Sequence, residues 1–213
     1  VQWAERLGKP LVVLDAIRLH YRWNCQRFHQ WLVDSMLDHA TAFASSQAWH
    51  FPYLEMQPHS GSELAYSLAS QAAITIADDY PTFFHPKLYQ GIVSRWPFAV
   101  ELVDSNGILP LRVADKTFTV AHSYRRFMQK QIVHFLHEFP EAEPLRYLKQ
   151  PKLASLPEEI TCRWRPLTQQ DLRTLDLAKL PIDHQVRATG EKGGEVAGLA
   201  LLQEFVERRL HLY

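Results

Sequence analysis

Four short apolar runs separated by helical patterns constrain the fold of this chain more than any other feature. The runs lie at residues 11–16, 49–56, 72–77 and 100–103, and the third is rich in β-branched side chains. Short apolar strands that alternate with helices are typical of a parallel sheet with right-handed crossover connections. The alternation therefore predicts an α/β fold with a Rossmann-like, doubly wound parallel sheet.

The helical patterns occupy residues 1–7, 20–44, 60–69, 87–96 and 119–139, and the first of them has no strand before it. A doubly wound sheet normally carries its first strand at the centre. We therefore expect the first strand to be missing and the chain to be a piece of a longer protein. Pro52 interrupts the second run, which predicts an edge strand or a bulge there because proline cannot donate to a sheet ladder.

Composition excludes several classes of protein. The 213 residues carry 23 Lys and Arg against 23 Asp and Glu, so net charge alone would not bind nucleic acid, although a local basic stripe stays open. The two cysteines, Cys25 and Cys162, are far apart, which fits a reducing cytoplasm. The histidines and cysteines form no close cluster of metal ligands, and no apolar run is long enough for a membrane span. We expect a cytoplasmic protein that binds neither a metal nor a membrane.

No motif of a catalytic nucleophile or a phosphate-binding loop occurs in the sequence. The patterns GxSxG, GxGxxG and Walker A are all absent, and only Gly193 and Gly194 are adjacent among the eight glycines. We therefore assign no catalytic residue to this chain.

Polar and aromatic side chains follow the third and fourth runs directly. They are Asp78, Asp79, Tyr80, Asp104, Ser105 and Asn106. In parallel sheets, ligands bind at the carboxyl ends of the strands, so these six residues are the candidate binding site. The alternative is that they only form turns, because Asp and Asn favour turns and Asn-Gly favours a positive φ.

The remainder of the chain differs in composition and in its apolar pattern. Residues 140–166 contain five prolines and few periodic apolar positions. We expect an α/β domain at residues 1–139, an irregular linker with a short helix at 140–193, and a C-terminal helix at 194–213. Thr168 is the predicted N-cap of the short helix, and the last helix carries an apolar stripe.

Several segments together resemble the N-terminal antenna domain of DNA photolyases and cryptochromes, and most of all the class II cyclobutane pyrimidine dimer photolyases. The segments are KPLVV (9–13), residues 21–36, ADDYP (77–81), VDSNGILP (103–110), the helix from 121 to 132 with EFP (138–140), and GGE (193–195) with the stripe to Tyr213. The chain has Asp-Asp-Tyr-Pro where the family has Asp-Phe-Ser-Pro. The resemblance implies a sheet of about five strands.

The resemblance also implies what the longer protein does. The parent would be a light-driven flavoprotein that repairs pyrimidine dimers in DNA, a deoxyribodipyrimidine photolyase, or a related photoreceptor. Its FAD would be held by a helical domain absent from this chain, which is not catalytic alone. The six candidate residues would line or border the site of an antenna chromophore, a folate or a deazaflavin. The partners implied are the helical FAD domain and, through the parent, damaged DNA.

Two other interpretations stay open. The chain could be a stand-alone α/β nucleotide-binding or signalling module that uses the same sheet edge. It could also be a structural remnant that braces a helical domain.

Overall fold

The computed structural model describes residues 1–137 and 139–213, and the side chain of Val93 is also outside the description. The chain divides into two compact units, residues 1–65 with 144–213 and residues 66–143. Each unit combines helices with one two-stranded parallel sheet. The predicted α/β class with parallel strands is confirmed at this level, whereas no doubly wound sheet of about five strands is seen among the described residues.

The sequence elements follow the predicted alternation. The strands are β1 (Val12–Ile17), β2 (Trp49–Leu54), β3 (Thr75–Asp78) and β4 (Val100–Val103). The helices are α1 (Gln2–Leu7), α2 (Gln26–Ala44), α3 (Leu64–Ala69), α4 (His85–Arg95), α5 (Ala121–Gln131), α6 (Glu158–Arg163), α7 (Gln169–Arg173) and α8 (Glu195–Arg208). Helix α5 ends earlier than predicted and continues as a 3-10 turn at Ile132–His134, whereas Glu138 lies outside the described residues.

The sheet of the first unit pairs β1 with β2 from Val12 opposite Trp49 to Ile17 opposite Leu54. The Trp49 amide donates to the Leu11 carbonyl at 2.8 Å. Because a parallel ladder alternates, Pro52 falls on the edge of β2 that faces away from β1, where its missing N–H costs no ladder bond. Its carbonyl instead accepts from the Leu167 amide at 2.8 Å. The expectation that Pro52 marks an edge strand is confirmed.

The core of the first unit joins β1, β2 and α2 to the residues that follow α6. Ile17, Val33 and Met36 are buried with a set of apolar side chains from the predicted linker. That set is Leu172, Leu177, Leu180 and Ile182. Burial of each such side chain is worth roughly 1.5–3 kcal/mol. The second half of the predicted linker is therefore part of the hydrophobic core.

Helix α7 begins with a complete capping box. The Thr168 hydroxyl accepts from the Asp171 amide at 3.1 Å, and the Asp171 carboxylate accepts from the Thr168 amide at 2.7 Å. Arg165 donates to the same carboxylate, as do the Thr168 amide and hydroxyl, and these donors hold the pKa of Asp171 well below its ordinary value. The prediction that Thr168 is the N-cap is confirmed.

Helix α8 is attached to α2 at its first turn. The carboxylate of Asp34 accepts from the Gly193 amide at 2.9 Å, and that of Asp38 accepts from the Val196 amide at 3.0 Å. Gly194 has a φ of 93°, and a Cβ there would collide with Asp38. Glycine is needed at this position for both reasons. No helix in the described residues is long and apolar enough to cross a membrane.

A buried carboxylate fixes the loops that follow β1 and β2. Glu55 is only 2% exposed. Its two oxygens accept from the Leu19 amide at 2.8 Å and from the Gly61 amide at 3.0 Å. The backbone at Gly61 comes so close that a Cβ there would lie 2.8 Å from Tyr53. Glu55 thus occupies the position from which one side chain can hold both loops.

Replacement of Glu55 with Ala should therefore destabilise the protein strongly. Two backbone N–H groups lose a charged acceptor, which costs about 2–4 kcal/mol of the free energy of unfolding. Urea denaturation measures the loss. The control is Glu63→Ala, because Glu63 pairs with Arg163 at 2.9 Å on the surface and should change stability by less than about 1 kcal/mol. Equal effects of the two substitutions would contradict the role given to Glu55.

A second carboxylate, Asp15 on β1, bridges two histidines. It accepts from His39 of α2 at 2.8 Å and from His50 of β2 at 3.4 Å. Burial alone would raise the pKa of Asp15, but hydrogen bonding and charge from His50 and His39 outweigh burial and lower it. The side chain thus links three elements of the first unit in its ionised form.

The stabilisation by Asp15 should depend on pH in a defined direction. Because the folded pKa lies below the ordinary value of 3.8, the contribution is complete above that pH and is lost as the pH falls through the folded value. Asp15→Asn should lower the free energy of unfolding by about 1–2 kcal/mol near pH 5. The difference from the unsubstituted protein should shrink below pH 3.8. Denaturation curves that keep a constant difference across this range would refute the role of the ionised carboxylate.

Candidate functional site

The loops that follow β3 and β4 are joined by hydrogen bonds at one edge of the second sheet. The Ser105 hydroxyl donates to the Asp78 carboxylate at 2.7 Å. The Asn106 side-chain amide donates to the Asp79 carbonyl at 2.8 Å and to the Asp104 carboxylate at 2.9 Å. These contacts follow from the parallel pairing, since the Asp79 amide still donates to the Val103 carbonyl at 2.8 Å at the end of the ladder.

Asp104 organises the second of these loops by accepting three donors. They are the Asn106 amide, the Asn106 side chain and the Leu111 amide, the last at 2.6 Å. Burial acts to raise the pKa of Asp104, but the Asn106 and Leu111 donors outweigh it and keep the pKa below the ordinary value. The carboxylate is ionised at neutral pH and closes the turn that sequence reasoning anticipated as its alternative role.

Asp79 forms an ion pair with Arg112, which lies in the 3-10 turn Leu111–Val113. The Asp79 side chain is 15% exposed, whereas that of Arg112 is 74% exposed. The hydrogen bond and charge of Asp79, together with the charge of Asp104, raise the pKa of Arg112. The edge therefore presents to solvent a guanidinium that is paired with the largely buried carboxylate of Asp79.

Aromatic rings flank the same edge on the side of α4. Tyr80 lies 5.1 Å from His85 and is parallel to Phe83 at 6.5 Å between ring centroids. Phe83 has a φ of 56°, a left-handed conformation that a bulky residue rarely adopts. Burial, followed by the charge of Asp78, raises the pKa of Tyr89 on α4. These rings give the polar edge an apolar border.

A shallow cleft of about 430 Å³, wide open to solvent, lies beside Leu111 and extends to the start of α5. Phe118 and Tyr124 form part of its wall, with ring centroids 5.5 Å apart. The Lys116 ammonium lies 5.6 Å from the centre of the Phe118 ring. Since the Leu111 amide is bound to Asp104, the cleft begins where the polar edge ends. A flat ring with an anionic group matches such a cleft, because aromatic walls stack on it and the ammonium attracts its charge.

The structure brings five of the six predicted site residues together at one sheet edge, in two neighbouring sets of hydrogen bonds. They are Asp78, Asp79, Asp104, Ser105 and Asn106. The Tyr80 side chain belongs to the aromatic border. Sequence reasoning missed Arg112, Tyr89 and Phe118. The signal available for Arg112 and Phe118 was only their place in a polar and aromatic stretch, LRVADKTF, after the fourth strand.

The arrangement of polar and aromatic side chains at this sheet edge is suited to binding a ligand. Within residues 1–137 and 139–213, no group of three or more His, Cys, Asp and Glu side chains is arranged to hold a metal ion. The carboxylates of the edge accept hydrogen bonds from their own loops, and the guanidinium and the aromatic rings are left facing outward.

No protein-family model matches the chain, and no curated protein is similar enough to count as a match.

Loss of the Asp104 carboxylate should loosen its loop without unfolding the second unit. Asp104→Ala should raise amide exchange at Leu111 and Asn106 about tenfold, because each amide loses a charged acceptor. Hydrogen exchange resolved at single residues measures the change. The control is Ser94→Ala on α4, where the hydroxyl donates only to the Gly91 carbonyl and its loss should leave these two amides unchanged. An unchanged rate at Leu111 in Asp104→Ala would contradict the loop assignment.

Proposed function

We propose that this chain is the α/β domain of a photolyase-like flavoprotein and that the edge after β3 and β4 borders the site of an antenna chromophore. The parent protein repairs pyrimidine dimers in DNA with light and belongs to the carbon–carbon lyases. FAD resides in a helical domain outside this chain, and the chain alone catalyses nothing. The parent acts in the cytoplasm, and damaged DNA is its substrate.

The observation that carries the proposal is the continuity between the polar edge and the aromatic cleft. Asp104 takes part in both, since it accepts from Asn106 at the edge and from Leu111 beside the cleft. Folates and deazaflavins combine a flat ring with polar or anionic groups, and Phe118, Lys116 and Arg112 offer partners for both parts. The resemblance of ADDYP and VDSNGILP to the antenna domain falls on these same two loops.

The proposal also specifies the fold in more detail than the two observed two-stranded sheets do. In each unit a single helix joins two parallel strands, α2 between β1 and β2 and α4 between β3 and β4. This strand–helix–strand unit is the one from which a doubly wound sheet is built. We propose that the native parent has the five-stranded sheet of the family.

Chromophore binding can be tested on the 213-residue chain itself. A deazaflavin or a reduced folate should bind with a change in its fluorescence, and Phe118→Ala should weaken binding at least about tenfold through loss of stacking. Asn106→Ala should weaken binding less, since its partners are within the protein. Phe205→Ala on α8 is the control and should have no effect. Absence of binding by both compounds would remove the antenna assignment.

Repair requires a test on the parent. Flavin absorption together with a second near-ultraviolet or blue band in the purified full-length protein would support an antenna. Light-dependent loss of thymine dimers is the expected activity, and no loss under saturating blue light would exclude repair. A parent with no long helical domain would favour the stand-alone module, and flavin without a second band would favour the bracing role.

A further inference from the structure

The first unit carries an exposed group of aromatic and arginine side chains that neither the core nor the proposed chromophore site uses. It consists of Tyr21, Arg22, Trp23, Arg27, Phe28 and Trp31, here named the aromatic–arginine patch. Trp23 is 50% exposed, Phe28 40% and Trp31 46%. Three large rings with this exposure in one segment are unusual, because aromatic side chains normally bury most of their surface.

The rings lie close enough together to act as one surface. The centroid of Tyr21 is 5.4 Å from that of Trp23 and 5.6 Å from that of Phe28. Phe28 and Trp31 are three residues apart on α2 and therefore share a helix face. Rings at these separations are in direct contact with one another, so an unpaired base would stack on an outer face of the cluster, as bases do on aromatic side chains regardless of sequence.

Arginines are interleaved with the rings. The Arg22 guanidinium lies 5.3 Å from the centre of the Trp23 ring. Arg27 precedes Phe28, and its Nε donates to the Arg187 carbonyl at 3.0 Å, which places a third arginine beside the patch. All three arginines are exposed. Positive charge beside clustered aromatic rings is complementary to a phosphate backbone that carries bases.

The carboxylates of the flanking segments are engaged with protein donors. Asp34 accepts from Gly193 and Gln30, and Asp183 accepts from the Gln185 amide at 2.8 Å. These hydrogen bonds hold the two carboxylates against their own segments without cancelling their charge, so the three exposed arginines outnumber these two carboxylates by one.

We propose that the aromatic–arginine patch binds single-stranded nucleic acid, with bases stacked on its rings and phosphates paired with its arginines. A protein partner is the less suitable occupant, because the surface that resembles a protein-docking face is the aliphatic stripe of α8. That stripe exposes Leu199, Leu202 and Val206 and has no comparable set of rings. The inference does not depend on the proposed photolyase function.

The test is fluorescence anisotropy of a labelled twelve-residue oligothymidylate with the 213-residue chain. We expect binding that weakens between 50 and 200 mM salt with a logarithmic slope of about −2, the value for three phosphate contacts to a single strand. Trp23→Ala and Arg22→Gln should each weaken binding at least about fivefold, and Arg22→Gln should reduce the slope by about 0.7.

A matched control exists in the same unit. Arg6 lies over the Trp3 ring at 4.5 Å, so Arg6→Gln removes the same charge from the same kind of pair outside the patch. It should leave the affinity within twofold of the unsubstituted value. Urea denaturation of each variant verifies that all remain folded, as expected for exposed positions.

Three results would overturn the proposal. They are no binding of the oligonucleotide at 50 mM salt, an equal loss of affinity in Arg6→Gln and Arg22→Gln, and full affinity in Trp23→Leu. The last substitution keeps apolar bulk but removes the stacking face, so full affinity would show that bases do not stack on Trp23. Loss of affinity in Trp23→Leu would support stacking.

Discussion

Parallel pairing is the constraint on which the rest of this structure depends. Because both strands of a parallel pair end at the same edge, the two loops that follow them are neighbours and their polar groups must be satisfied together. The chain meets this requirement twice. In the first unit the buried carboxylate of Glu55 accepts from both loops. In the second unit Ser105 and Asn106 reach across to the residues that follow β3.

The edges of the two sheets differ in which side chains they leave accessible to solvent. Glu55 is enclosed, so both of its oxygens are committed to backbone amides and the edge of the first sheet is a structural element. The edge of the second sheet is exposed, and its carboxylates hold the loops while Arg112 and the aromatic rings face solvent. A ligand can exchange with water at such a surface, because the loops keep their own hydrogen bonds when it leaves. The candidate site is therefore assigned to the second unit.

Local sequence patterns predicted local structure, but they did not predict packing between segments that are distant in sequence. The four strands, the capping box at Thr168 and the edge position of Pro52 were predictable, because each depends on residues that are close in sequence. Helix α6 was missed because the prolines around it suggested an irregular segment. Pro157, however, lies just before the first turn of α6, where proline is tolerated. The core position of Leu172 and the pairing of Arg112 with Asp79 connect distant segments, and no periodicity reports them. The expected linker boundaries, the antenna and the flavin domain stay predictions.

The exposed surfaces of the first unit have different chemistry, and this difference limits what can cover them. Helix α8 is fixed at its first turn by Asp34 and Asp38, yet Val196, Leu199 and Val206 are each more than half exposed. An aliphatic stripe of this kind marks an interface, because water is excluded from it most favourably by another apolar surface. If the proposed function holds, the helical domain of the parent is the candidate for that surface. A helical domain packed on the aromatic–arginine patch would have to desolvate its arginines. A polyanion would instead pair with the arginines at the solvent-exposed rim of the patch, so it is the better match.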